Sequence, residues 1–183
     1  MKPTSIHTLL LGAMGALAAA LVGCGDSADP EDRATFAQDA YPFTFEYPAS
    51  FEASDDVSID TTLGGSLEDT TAVALDESNI ILLQHTELNV EVSEANIDQA
   101  KDEFDALVAQ IDPATKGEIG EAAGFPSLTY EVIHVPTPPD GESHITVLFD
   151  GDQEYVVNCQ STPEGRDEIN AACDEALATL AAT

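Results

Sequence analysis

The stretch Tyr41-Pro42-Phe43-Thr44-Phe45-Glu46-Tyr47-Pro48 (YPFTFEYP) marks the start of the folded part of this chain. Its aromatic residues alternate with Thr44 and Glu46, which is the period of a β-strand with one buried face. Pro48 has no N–H to donate to a neighbouring strand and therefore ends the element. The stretch predicts a half-buried strand that opens a single globular domain over residues 41–183.

Two apolar runs follow this first strand. Ala72–Leu75 and Asn79–Thr86 are separated only by Asp76-Glu77-Ser78, so they predict a β-hairpin. Within the second run, Ile80–Leu83 is continuously apolar, which is expected of a strand that is covered on both faces.

The C-terminal half contains further strand signals. Lys116–Glu121 predicts a short edge strand, and Leu128–Val135 predicts a longer strand. His144–Phe149 and Glu154–Cys159 flank Asp150-Gly151, a dipeptide typical of tight turns, and therefore predict a second hairpin.

Two segments have the helical period instead. Ser93–Ile111 has apolar residues three and four apart, with Ser93 as the predicted N-cap. Pro163–Leu180 has a second apolar stripe, with Thr162 as its cap and Pro163 in its first turn. The order of strands and helices predicts an α+β fold, in which a central antiparallel sheet packs against helices.

An apolar leader precedes the domain. Leu9–Val22 is a run of 14 apolar or small residues after a start that carries Lys2 and no acid. A bilayer-spanning helix needs about 20 such residues, so this run predicts a signal peptide over residues 1–23. One option is an A-x-A type cut that uses Ala18 and Ala20, which would release a soluble chain with a free thiol at Cys24.

Leu21-Val22-Gly23-Cys24 resembles the bacterial lipobox. This resemblance implies that the sulfur of Cys24 receives a diacylglyceryl group and that the leader is cut just before it. Each buried CH₂ adds about 0.8 kcal/mol, so two or three acyl chains anchor a protein durably. We therefore expect export and anchoring to the outer face of the cell membrane, or to an outer membrane, through Cys24.

Residues 24–40 are rich in Asp and Ala, and Phe36 is their only large apolar residue. Such a composition predicts a flexible acidic tether between the anchor and the domain.

The charge of the chain excludes one class of partner. All 35 acidic residues follow Cys24, where there are four basic residues, so this region has a formal net charge of −31. Such a surface repels phosphate backbones, and we expect no nucleic-acid binding. The acidity fits a solvated surface that resists aggregation, adaptation to a saline habitat, or the binding of cations or a basic partner.

The other two cysteines lie at inward positions of predicted elements. Cys159 ends the last predicted strand and Cys173 lies on the apolar stripe of the last helix. In an exported protein this placement favours a disulfide, and two buried free thiols are the alternative. With that pair formed, Cys24 is the odd cysteine, and a lipid on it would account for the count.

The sequence offers no catalytic motif. It has no G-x-S-x-G elbow, glycine-rich phosphate loop or C-x-x-C pair, so we expect no catalytic residues and no cofactor. His85, His134 and His144 lack metal-ligand spacing, and we expect no metal site. Asp150–Glu154 alternates acids but lacks the later ligands of a calcium loop, so it is interpreted as a turn.

The domain resembles a known family. The F-x-F-x-Y-P strand that ends at Pro48, then Gly124-Phe125-Pro126 leading into Tyr130, and a final helix with Cys173 are similar to PsbP-like domains, particularly the LpqN-type lipoproteins of actinobacteria. The resemblance implies an α/β/α sandwich with a non-catalytic, partner-binding role.

The leading functional hypothesis is therefore a binding or accessory module for an envelope protein or an apolar ligand. The loops at Gly64-Gly65 and Pro136–Gly141 are its predicted adaptable surfaces. The alternatives are a hydrolase with a carboxylate pair and a cation-binding surface protein.

Overall fold

The computed structural model describes residues 32–54 and 70–183, which form nine strands and two helices. In chain order these elements are β1 (Arg33–Phe36), β2 (Phe43–Pro48), β3 (Glu52–Ser54), β4 (Thr70–Ala74), β5 (Ile80–Val92), α1 (Ile97–Val108), β6 (Glu118–Ala122), β7 (Phe125–Val135), β8 (Gly141–Ser161), α2 (Arg166–Thr179) and β9 (Ala181–Ala182).

The strands form two antiparallel sheets. The main sheet has six strands in the order β3-β4-β5-β8-β7-β6, and a small sheet has the order β1-β2-β9. The predicted α+β class with an antiparallel main sheet is confirmed.

The aromatic stretch forms β2 as predicted, with Phe43, Phe45 and Tyr47 buried. However, the domain begins before Tyr41, because β1 pairs antiparallel with β2. The tether predicted over residues 24–40 is corrected in this part: Phe36 is buried and stacks on Phe45, and this burial holds β1 in place. Residues 24–31 lie outside the described ranges.

The first predicted hairpin is confirmed, since β4 pairs with β5, which continues to Val92. The second is wrong. Residues on both sides of Asp150-Gly151 belong to the single strand β8, whose first half pairs with β7 and whose second half pairs with β5. The two halves pair with different strands and not with each other, so β8 continues through Asp150-Gly151 without a hairpin turn. Gly151 (φ +65°) instead marks a register shift within the β5–β8 ladder.

The tight turn lies elsewhere, at Ala123-Gly124 between β6 and β7, where both residues have positive φ (54° and 86°). Positive φ at both positions is the requirement of a type I′ hairpin. β6 lies at the edge of the main sheet, as predicted.

Both helices begin later than predicted. Asn96, rather than Ser93, occupies the N-cap position of α1, and its Oδ1 accepts hydrogen bonds from the Ser93 N–H and hydroxyl. α2 begins at Arg166 because Thr162 closes a turn first, its Oγ1 accepting the Gly165 N–H. In both cases a capping residue type stabilises a turn before the helix.

The buried side chains form three clusters. The first joins β2 and α2 to one set of sheet residues: Val73, Ile81, Leu83, Leu148, Tyr155, Val157 and Cys159. The second joins α1 to another set, which comprises Val92, Leu128, Tyr130, Ile133, Ile145, Val147 and Phe149. The third contains Ala72, Ile80 and Leu82. Neighbours in Ile80–Leu83 alternate between clusters and are all buried, so this first part of β5 is covered on both faces, as predicted.

The predicted pair of cysteines is joined. Cys159 on β8 and Cys173 on α2 form a disulfide with an S–S distance of 2.05 Å and a Cα–Cα distance of 6.0 Å. It links the helix covalently to the main sheet.

Candidate functional site

The three histidines His85, His134 and His144 lie on β5, β7 and β8. The ring of His85 stacks on Tyr155, with 4.8 Å between centroids, and its Nε2 lies 2.7 Å from Gln153 Oε1. His144 is half-buried on β8. Within residues 32–54 and 70–183, no group of three or more His, Cys, Asp or Glu is placed to hold a metal ion.

His134 belongs to a chain of polar contacts with acidic side chains. Its backbone N–H and Nδ1 lie 3.1 and 3.0 Å from Asp112 Oδ2, and Glu142 connects onward to Arg166 at 2.8 Å. The hydrogen bonds from the His134 side chain and backbone lower the pKa of Asp112 to about 2. These contacts tie the segment that follows α1 to β7.

The loop Pro136–Gly141 is a tight turn. The Gly141 N–H donates to the carbonyl of Pro138 at 2.9 Å, and a Cβ at Gly141 would lie 2.8 Å from that oxygen. The backbone oxygen of Asp140 accepts from the Arg166 guanidinium. The other predicted adaptable loop, Gly64-Gly65, and Cys24, whose lipidation is predicted, lie outside the described residues.

One group of polar side chains lies among apolar ones on the main sheet. Across the β5–β8 ladder Gln84 lies opposite Val156, and the pairs two residues away on either side contain Glu154 and Asn158. Opposed residues in an antiparallel pair point to the same face, so Gln84, Glu154 and Asn158 share one face. We call these three residues the polar seam.

The polar seam lies between two apolar clusters. Val156 packs against the cluster that contains α1, and Leu82, opposite Asn158, belongs to the third cluster. Diagonal neighbours in such a ladder are about 7 Å apart, so Gln84 is within reach of a small group that also contacts Asn158.

Two seam atoms are buried without a partner. Within the described residues, neither Gln84 Nε2 nor Asn158 Oδ1 makes a hydrogen bond. Asn158 is 8% exposed, so water does not freely replace the missing partner. An unpaired buried amide group costs about 1–3 kcal/mol, and such groups are rare in folded proteins. The seam therefore holds one free donor and one free acceptor.

The third seam residue carries a perturbed carboxyl. Burial raises the pKa of Glu154 from 4.5 to about 7. Near neutral pH this side chain is partly protonated, so it both donates and accepts hydrogen bonds. Burial is the whole cause of the shift, with no second carboxylate contributing, whereas a hydrolytic pair has two carboxylates within about 10 Å.

The spacing predictions missed the seam. Gln84 directly follows Ile80–Leu83, and Asn158 lies between Val157 and Cys159. In the sequence, the polar seam was signalled only by an amide side chain within or next to an apolar strand run. Without the pairing register of β5 and β8, however, nothing indicated that the two amides share a face.

Comparisons with known proteins show what the fold is similar to. No protein-family model matches the sequence, and none of the curated proteins matches it. The solution structure of cyanobacterial PsbP (CyanoP) from Synechocystis is similar, with a TM-score of 0.53 and 10% identity over 88% of this chain and 99% of that chain.

A crystal structure from Bacteroides thetaiotaomicron is similar over 81% of this chain and 48% of that chain, with a TM-score of 0.52 and 14% identity. The match thus spans about half of the Bacteroides protein. The chain has a PsbP-like fold. Likeness at these identities shows the fold and nothing of the activity. Neither described helix is long and apolar enough to cross a membrane.

Proposed function

We propose that this chain is an exported, membrane-anchored lipoprotein of the LpqN type, whose PsbP-like domain is a non-catalytic binding module. The observation that supports ligand binding best is the pair of buried, unpartnered amide groups in the polar seam. The proposed ligand is apolar and carries one uncharged group that donates and accepts hydrogen bonds, such as an amide.

The proposed architecture is an α/β/α sandwich. α1 and α2 pack against different sets of sheet residues, and neighbouring residues of β5 alternate between clusters. Since successive side chains of a strand point to opposite faces, this alternation supports a helix on each side of the main sheet.

The proposed anchor is an acylated Cys24. It is supported by the lipobox and by the disulfide of Cys159 with Cys173, which leaves Cys24 as the odd cysteine. Intact mass spectrometry of protein extracted from membranes tests it. We expect a chain that begins at Cys24 with added acyl mass, and a chain that begins at Met1 or Leu21 without that mass would contradict the anchor.

The chemistry of the seam selects the ligand. Gln84 offers an N–H group and Asn158 offers a carbonyl oxygen, which match the oxygen and the N–H of an amide. The surrounding Leu82 and Val156 favour an apolar remainder. An anionic ligand is disfavoured, because the chain is strongly acidic and Glu154 gains a charge near neutral pH.

Octanamide tests this proposal, with octanoate as a matched anionic control. We expect octanamide to shift the side-chain NH₂ signals of Gln84 and Asn158 in NMR spectra of the full chain, and octanoate to shift neither. The exposed Asn89 on the same strand is an internal control. Unchanged Gln84 and Asn158 signals at saturating octanamide would contradict the ligand site and leave the anchor proposal standing.

A further inference from the structure

The outer edge of β6 is open for strand pairing. β6 is the last strand of the main sheet in the described part of the chain, and its first four residues are exposed. Its ladder with β7 runs from Glu118 to Ala122 without a register shift. The edge is therefore regular enough to accept another strand.

The turn determines which backbone groups point outward. Ala122 and Phe125 close a two-residue hairpin, so this pair exchanges both hydrogen bonds and so does every second pair after it. The backbone N–H and C=O groups of the residues between these hydrogen-bonded pairs point away from β7. The N–H and C=O groups of Ile119 and Glu121 thus point away from the sheet, where a further strand would bond.

The exposed side chains at this edge include both apolar and acidic residues. Ile119 is 44% exposed, and Leu107 on α1, which lies beside β6, is 39% exposed. Glu118 and Glu121 lie on either side of Ile119 in the strand and are both exposed.

The charge at the edge selects the occupant. Edge strands are commonly shielded by charged side chains, especially lysine, by proline or by a bulge, and between Glu118 and Ala122 the only such feature is the like-charged pair Glu118 and Glu121. Two acidic edges would repel each other, so a second copy of this chain is disfavoured. A basic strand would face opposite charges at Glu118 and Glu121 instead.

We propose that the edge of β6 binds an extended, basic segment of a partner protein, which adds a seventh strand to the main sheet. An antiparallel segment would place one basic residue opposite Glu121, any residue opposite Gly120, an apolar residue opposite Ile119, and a second basic residue opposite Glu118. This surface would serve the envelope-protein partner expected from the sequence, and it is independent of the polar seam and of lipidation.

A peptide with the core Lys-Thr-Val-Lys tests the proposal, with a scrambled Val-Lys-Lys-Thr core as a control of equal charge. We expect the ordered peptide to bind the full chain at least about tenfold more tightly, as followed by fluorescence anisotropy. Hydrogen exchange should slow at the amides of Ile119 and Glu121. Equal binding of the two peptides, or no added protection at these amides, would overturn the proposal.

Charge-reversal variants provide the second arm. The double variant Glu118→Lys, Glu121→Lys should bind the ordered peptide about tenfold or more weakly than the parent chain does. Glu52→Lys with Glu77→Lys changes the net charge equally at exposed positions on β3 and in the β4–β5 turn, and should weaken it by less than about twofold. Equal weakening by the two double variants would show a non-specific charge effect and overturn the β6 site.

Discussion

At the scale of single residues, Asp105 connects several elements of the fold. Its Oδ1 accepts hydrogen bonds from the Gly117 N–H at 3.0 Å and the Tyr130 hydroxyl at 3.1 Å, and its Oδ2 lies 2.7 Å from Lys101 Nζ. Burial raises the pKa of Asp105, but the hydrogen bonds from Gly117, Lys101 and Tyr130 outweigh it and lower the pKa below its ordinary value. One carboxylate thus joins α1 to β7 and to the segment before β6.

We expect Asp105→Ala to lower the free energy of unfolding by about 3 kcal/mol, because the buried Gly117 N–H and Tyr130 hydroxyl lose their acceptor. Asp102→Ala, at an exposed position on the same helix, should change it by less than about 0.5 kcal/mol. Urea unfolding at pH 7 measures both, and equal effects would contradict the role of the Asp105 contacts.

Glu154 makes stability depend on pH in the opposite direction to a paired carboxylate. Its folded pKa of about 7 exceeds the ordinary 4.5, so the folded state binds more protons between these values. The free energy of unfolding therefore falls as pH rises from about 4.5 to about 7. At pH 8 we expect Glu154→Gln to be more stable than the parent chain by up to about 3 kcal/mol.

Denaturant unfolding at pH 4 and pH 8 checks this expectation. Glu87→Gln removes the same charge at an exposed position on β5 and should show no such rise in stability at pH 8. A Glu154→Gln variant that follows the pH profile of the parent chain would contradict it.

The sequence could not reveal these residues. Nothing in the helical period distinguishes Asp105 from Asp102 or Glu103, and Gln84 shares a face with Glu154 only through strand pairing. Tertiary proximity, rather than spacing along the chain, makes both sites.

At the scale of elements, patterns with a strong period were predictive. The alternation in β2, the apolar run in β5 and the stripe of α2 each placed an element correctly. Turns were harder to predict. Asp150-Gly151 has the chemistry of a tight turn, but β8 continues through it because its halves pair with different strands. Pairing partners outweighed local turn preference there.

The Cys159–Cys173 disulfide closes a loop whose ends are 14 residues apart. A loop of this size stabilises a protein by about 3 kcal/mol according to the chain-entropy relation. We expect Cys159→Ala with Cys173→Ala to lower the free energy of unfolding by about that amount. Reducing agent should destabilise the parent chain and leave the double variant unchanged, and a reductant effect on both would contradict this assignment.

At the scale of the whole molecule, self-repulsion is the dominant electrostatic feature. The region after Cys24 has 35 acidic and four basic residues. The screening length falls from about 10 Å at 0.1 M salt to about 3 Å at 1 M. Dissolved salt therefore relieves repulsion between carboxylates that are not paired within the fold.

We expect the melting temperature to rise with sodium chloride up to 1 M. Choline chloride at equal ionic strength separates screening from specific cation binding. Equal rises indicate screening alone, and a larger rise with sodium indicates a bound cation. A flat response to both salts would contradict the importance of repulsion and remove adaptation to a saline habitat as an explanation.

The 21-residue length of β8 has a consequence for how the molecule opens. Its two halves bond to β5 and β7, so detaching either strand exposes part of the same element. We expect amides of β5 and β7 that bond to β8 to exchange with solvent through one shared opening event of equal free energy. Native-state hydrogen exchange that gives different opening free energies for the β5 amides and the β7 amides would contradict this coupling. Coupled opening would give a protease no half-open form of the sheet to cleave.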